Sequence, residues 1–248
     1  MPQSHNLIAA FNEEREAVSA IVRNGIGKYA LSLPGIDEIT QLDDRIWRCM
    51  DSRTSGGLRF PPFIRKQDRA KSIRFAVEFG RKAKVSAVGH HLDCGAVGAY
   101  LEANSIKPTP QKPPFEYGRE FAQDVADEVQ VPCIEIPLQG EVGCHRERAV
   151  YYTSIDLDPS KEKRLPTGFV INREYTDAEH ALIALRVALQ IAFGPHGFGE
   201  LFSGNQPFLV IVVAATQKEV DSLAQEVSAS VARYGDRVKV DGLALSGR

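Results

Sequence analysis

Three features of the 248-residue sequence predict an α/β fold, a mainly parallel central sheet flanked by helices. Apolar segments of strand and helix period alternate along most of the chain, the unbroken apolar run FLVIVVAA reads as a strand buried on both faces, and two stretches with capping-box spacing, Thr176 to Glu179 and Thr216 to Glu219, each precede a helical pattern. No internal repeat is visible. The chain, 1–248, reads as one domain with a carboxyl-terminal α/β elaboration over about 160–248.

The elements follow in order. Leu7, Ile8, Phe11, Val18, Ile21 and Val22 recur at helical spacing, which predicts an amphipathic amino-terminal helix over 7–23 stopped by Asn24-Gly25. A sheet that begins only at Arg45 offers this helix little to pack on, so its apolar face is expected on a partner subunit. A short strand follows over Arg45 to Cys49, a helix over Arg69 to Arg81, a strand over Val85 to Val88 and a helix over Cys94 to Leu101. The stretch NSIKPTPQKPPFEYG has four prolines within 108–114 and reads as a loop, with a helix from Phe121 to Val129 after it. Strands are expected at Cys133 to Ile136, Ala149 to Asp156 and in FLVIVVAA, and Gly194-Pro195-His196-Gly197 reads as a helix stop.

Thirty basic against 32 acidic residues give a net charge of -2 with no block of like charge, so nothing supplies the footprint needed for nucleic acid or an anionic membrane. The amino terminus has no basic region ahead of an apolar one, and the longest apolar run is far too short to cross a bilayer. A soluble, cytoplasmic protein acting on a small molecule is expected, with its four cysteines reduced or bound to metal.

Two motifs carry the chemistry. RCMDSR places Cys49, Asp51 and Arg53 at alternate positions after a strand, so on an extended backbone they point to one side. HHLDCGAV places His91 and Cys94 three apart on a turn entering a helix. Cys49, His91 and Cys94 together form a soft donor set suited to Zn²⁺, and three protein ligands leave a fourth position for water, which zinc makes a hydroxide near neutral pH. Arg53 can hold Asp51 ionised, and Asp51 can orient the nucleophile. His90 reads as a packing residue, Cys133 as a small buried hydrophobe, and Cys144-His145 as a polar loop, since adjacent residues rarely converge on one ion.

Cys-x-Asp-x-Arg followed by His-x-x-Cys-Gly resembles the β-class carbonic anhydrases, and SIRFAVEFGRKAKVSAVGHHLDCGA is similar to that family's helix, strand and zinc turn. The resemblance covers about residues 45–101. It implies zinc-dependent hydration of CO₂ to bicarbonate, with Cys49, His91 and Cys94 as ligands, Asp51 and Arg53 as the catalytic dyad, and a homodimer or higher homo-oligomer whose amino-terminal arm crosses the partner. GGLRFPPFIRKQD departs from the family, which has an Arg-Asn-Ala-Gly stretch there, and 160–248 is unlike the family's carboxyl end. Three alternatives stay open: COS or CS₂ as the substrate, a non-catalytic zinc protein for oligomerisation or regulation in which Asp51 closes the fourth position, and a reactive-thiol protein using Cys94.

Overall fold

A computed structural model describes residues 3–54, 56–59, 69–139, 145–195 and 197–245. Along the chain lie α1 (Gln3–Glu13), α2 (Arg15–Asn24), α3 (Ile26–Leu31), β1 (Ile46–Arg48), β2 (Leu58–Arg59), α4 (Arg69–Lys82), β3 (Ala87–His90), α5 (Gly95–Ala103), α6 (Pro114–Val129) and β4 (Cys133–Glu135). They are followed by β5 (Ala149–Thr153), β6 (Gly168–Asn172), α7 (Ala178–Phe193), β7 (Phe208–Ala214), α8 (Gln217–Val231) and β8 (Val238–Ala244). The fold is α/β, as expected, but the strands form two four-stranded parallel sheets, ordered β2-β1-β3-β4 and β6-β5-β7-β8. Both sheets place their strands in the order second, first, third, fourth along the chain, a repetition of topology that the residues themselves do not betray.

The chain divides accordingly into two compact units. One is Leu42–Gly143; the other joins Met1–Gln41 to Cys144–Arg248. The grouping therefore differs from one domain with an elaboration after about residue 160: the amino-terminal residues belong with the carboxyl-terminal ones.

In the discontinuous unit, β5 lies in register with β6 and β7, Ala149 opposite Gly168 and Leu209, and β7 is buried along its whole length. Val18, Ile21, Ile26 and Ala30 from α2 and α3 pack with Tyr151, Leu209, Ile211 and Val213 in one core and are themselves completely buried. Phe11, Val18 and Ile21, expected on a partner subunit, are instead buried by their own chain, Val18 and Ile21 against strands that start more than a hundred residues later, while Ile8 of the same helical pattern stays exposed. The buried Arg148 fastens α1 there. Its guanidinium stacks 3.6 Å from the centre of the Phe11 ring and donates to the Phe11 carbonyl at 2.6 Å and to Gln206 at 2.9 Å. Burial lowers the Arg148 pKa to about 10.

In the 42–143 unit, Trp47 of β1 packs on Phe79 of α4, ring centres 6.0 Å apart. Here the helix after the proline stretch begins at Pro114 and not at Phe121. Proline at the first helical position has no N–H to lose and a φ already set for the helix, so a proline-rich run can open one. The third strand starts at Ala87 because the Val85 amide is spent on the Gly80 carbonyl at the end of α4, 3.0 Å away. At the start of α7 it is Asp177 that accepts the His180 amide, one residue later than the Thr176 spacing suggests, whereas Thr216 and Glu219 do form the expected reciprocal cap. β2, β6 and β8 escaped the sequence reading: β2 is two residues long, β6 follows a proline, and β8 is polar at alternate positions with a glycine inside. Among the described residues no helix is long and apolar enough to cross a membrane. Cys144, His196 and residues 60–68 of the divergent GGLRFPPFIRKQD stretch lie outside those described.

Candidate metal centre

The site lies wholly within the 42–143 unit, at the carboxyl ends of the adjacent parallel strands β1 and β3, where side chains from neighbouring strands converge. Cys49 follows β1 directly, His91 follows β3, and Cys94 stands at the N-cap of α5, whose Gly98 amide bonds to the Cys94 carbonyl at 3.1 Å. Only glycine fits just before the histidine pair. A Cβ on Gly89 would stand 2.5 Å from Ile136 Cγ1 and 2.7 Å from the Trp47 carbonyl, so any side chain there would prise β3 from its neighbours and displace His91.

The structure brings together the three donors that the sequence singles out. The ligand atoms of Cys49, His91 and Cys94 all lie within 4.8 Å of one another. The two sulfurs are 3.9 Å apart, and two thiolates on a tetrahedral ion, each about 2.3 Å from it, would stand about 3.8 Å apart. His91 is buried, its Nδ1 lies 2.7 Å from the Leu92 carbonyl oxygen, and its Nε2 is buried without a hydrogen-bond partner. An Nδ1–H donated to that carbonyl fixes the tautomer and leaves Nε2 bare, the arrangement of a histidine that ligates through Nε2. The donor set, its spacing and this partnerless nitrogen all fit a zinc ion.

Electrostatics ties the three together. Burial acts against a charged His91, but the Cys94 sulfur outweighs it and raises the imidazole to about 8. The hydrogen bond between the thiols splits them. It pushes Cys49 well up, reinforced by burial, and holds Cys94 well down, with the charge of His91 assisting and burial opposing. Without metal, the site therefore favours a Cys94 thiolate beside an imidazolium, with Cys49 as a thiol.

Asp51 and Arg53 form the expected pair, both buried. Asp51 Oδ1 accepts from the Arg53 amide at 2.9 Å and from its Nε at 3.1 Å, and Oδ2 accepts from Nη2 at 2.7 Å. Two further residues went unnoticed in the sequence. Asp93, in a left-handed turn conformation at φ 54°, binds Arg53 Nη1 at 2.9 Å through its carboxylate and Nη2 at 3.1 Å through its carbonyl. Arg53 therefore clamps the turn between His91 and Cys94 to the segment after β1 that carries Cys49. The buried Arg59 of β2 donates from Nη1 to the Cys49 carbonyl at 3.2 Å, the Asp51 carbonyl at 2.8 Å and Thr54 Oγ1 at 2.9 Å, holding the Cys49–Thr54 turn in shape. An arginine beside two glycines was the only signal of that role.

A small cavity of about 30 Å³ opens on the three donors and is walled by Trp47, Val97, Phe121 and Ala122. His90, half-buried, also lines it and is not one of the converging donors, in keeping with a packing role. Cys133 is a half-buried thiol in β4, less enclosed than a core residue, and burial raises its pKa. His145 lies in an irregular polar stretch, as expected, but is buried, with Nδ1 3.3 Å from Glu147 Oε2. No family model, curated protein or solved structure matches this chain.

Proposed function

We propose that the protein is a zinc-dependent lyase of carbonic anhydrase type, hydrating CO₂ to bicarbonate, with Cys49, His91 and Cys94 as metal ligands and Asp51 and Arg53 as the catalytic dyad. The observation that carries the reading is a closely spaced set of two sulfurs and one bare imidazole nitrogen, buried at Cys49 and His91 and partly buried at Cys94, with an arginine-paired acid two residues from one of them. Zinc held there would act as a Lewis acid that brings the pKa of water down to about 7.

The chain's own residues supply the rest. Arg53 keeps Asp51 anionic, and Asp51 accepts a hydrogen bond from the attacking water and aims its lone pair at the carbon of CO₂. One C–O bond forms, one C=O π pair moves to oxygen, and the proton of the water passes to buffer, which balances CO₂ and H₂O against HCO₃⁻ and H⁺. A closed, non-catalytic site would need Asp51 as the fourth ligand; the engagement of both its oxygens by Arg53 speaks against that. A homo-oligomer and a cytoplasmic location belong to the same proposal.

Stopped-flow hydration of CO₂ with a pH indicator tests the reading. Zinc-loaded protein is expected to accelerate hydration over buffer, to lose the effect when zinc is stripped and to regain it on reconstitution. No acceleration across neutral and alkaline pH, with zinc bound, would overturn it.

A further inference from the structure

We propose that a groove between α4, α5 and α6 of the 42–143 unit binds a planar aromatic compound carrying one anionic group, a phosphate or a carboxylate, independently of the chemistry at the three donors. The groove has a volume of about 220 Å³ and is lined by Arg69, Tyr100, Lys112, Tyr117, Glu120 and Phe121. A single water needs roughly 10–15 Å³ on this scale, so the space holds roughly 15–20 water-sized groups, the bulk of a two-ring molecule with its acid group.

The proline-rich stretch ahead of α6 places one cation. Thr109 and Lys112 exchange backbone hydrogen bonds of 3.1 Å in both directions, which closes a tight turn over Pro110-Gln111 and delivers Lys112 to the start of the helix. The Lys112 ammonium stands 4.4 Å from the centre of the Tyr117 ring and 2.7 Å from Glu120 Oε2. The second cation is Arg69, the first residue of α4, whose Nη2 lies 2.5 Å from Asp124 Oδ2. The partial positive charge at the amino-terminal end of α4 adds to that of the guanidinium, and the first turn of α4 has no acid to offset it. All four side chains of these two pairs are 39–46 % exposed. Ion pairs so open to water contribute little, so either cation can exchange its carboxylate for a ligand's anionic group. Among the described lining residues two cations face one acid, which favours an anion over a cation. Tyr100, Tyr117 and the buried Phe121 supply the aromatic walls, and rings packed on rings gain beyond the area they bury.

Isothermal titration calorimetry of the full chain with 1-naphthyl phosphate, 1-naphthoate, 1-naphthol and inorganic phosphate tests the assignment. At least one of the two naphthyl anions is expected to saturate a single site, and the tighter of them names the anionic group. Naphthol lacks the charge and inorganic phosphate lacks the rings, so each is expected to bind about 10–100-fold more weakly. Lys112→Gln and Arg69→Gln remove one charge each from half-exposed positions and are expected to keep the parent's thermal midpoint while weakening the tighter naphthyl anion about 10-fold. Tyr117→Leu keeps an apolar side chain but no ring, and is expected to weaken it by a similar factor. If one of the charge variants does not fold, the other decides. Failure of both naphthyl anions to bind overturns the assignment, as does inorganic phosphate or naphthol binding as tightly as they do. Unchanged affinity in folded Lys112→Gln and Arg69→Gln proteins overturns it too, since the anion would then sit elsewhere.

Discussion

Replacing Arg53 by Met keeps the length of the side chain and removes its charge, which isolates what the guanidinium does. Asp51 is 2 % exposed and receives three of its hydrogen bonds from the Arg53 side chain, at 2.7, 3.1 and 3.2 Å. Removing one partner of a buried ion pair typically costs about 3–5 kcal/mol because the other charge stays in place. The Arg53 amide, 2.9 Å from Oδ1, survives the substitution and puts the loss near the lower end. Asp93 is about a third exposed and water can solvate it, so losing its pair adds about 0–1 kcal/mol. The sum is about 3–4 kcal/mol. Asp51→Asn should cost less, about 1.5–3 kcal/mol, because Arg53 keeps Asp93 and only charge-assisted hydrogen bonds are weakened. Urea unfolding of the zinc-loaded proteins, followed by the single tryptophan, measures both, and Trp47 sits in the core of this unit. If Arg53→Met loses less than about 1 kcal/mol, or less than Asp51→Asn, the pair is not what holds the acid in place.

Further outcomes follow from the same geometry. Cys49→Ser should lower zinc occupancy, and stability with it, when metal is measured by elemental analysis after purification without added metal; full occupancy would remove Cys49 from the ligand set. Asp51→Asn should keep its zinc but lose about 10- to 100-fold in CO₂ hydration, and an undiminished rate would exclude Asp51 from the chemistry. Zinc affinity should rise with pH. His91 sits at about 8 without metal and Cys49 is pushed up, so below that value zinc must displace a proton from each. Above it only the Cys49 proton remains, and the slope of log affinity should change from about two decades per pH unit to about one. Competition against a chelator of known pH dependence reads this, and a slope of one or less throughout would show that the imidazole carries no proton for metal to displace.

Much of the site was legible because its residues act through spacing along single elements. The short spacing kept Cys49, Asp51 and Arg53 together, although through a 3₁₀ turn over Ser52–Thr54 and not the extended backbone expected, and a short turn into a helix puts His91 near Cys94. Asp93 was not legible, since its role depends on a left-handed turn that swings its carboxylate and carbonyl to a guanidinium 40 residues away. Arg59 was hidden for the same reason: its acceptors are mainly backbone carbonyls, whose direction no side-chain pattern reports. Trp47, Phe121 and Ala122 carry no signal of a role in the site until β1 and α6 are placed around one cavity. At the level of the fold, alternation of helix and strand gave the class correctly. It could not tell that Val18 and Ile21 share a core with Leu209 and Ile211, because that pairing is set by a chain reversal across an entire intervening unit. The proline run misled for a local reason: proline breaks a helix inside it and starts one at its first position.

The most direct test of the central claim is X-ray absorption at the zinc edge on protein purified without added metal. The account predicts about one zinc per chain with two sulfurs near 2.3 Å and one imidazole nitrogen near 2.0 Å, the remaining position being taken by a light atom. A metal-free protein, or a metal whose nearest shell contains no sulfur, would contradict it.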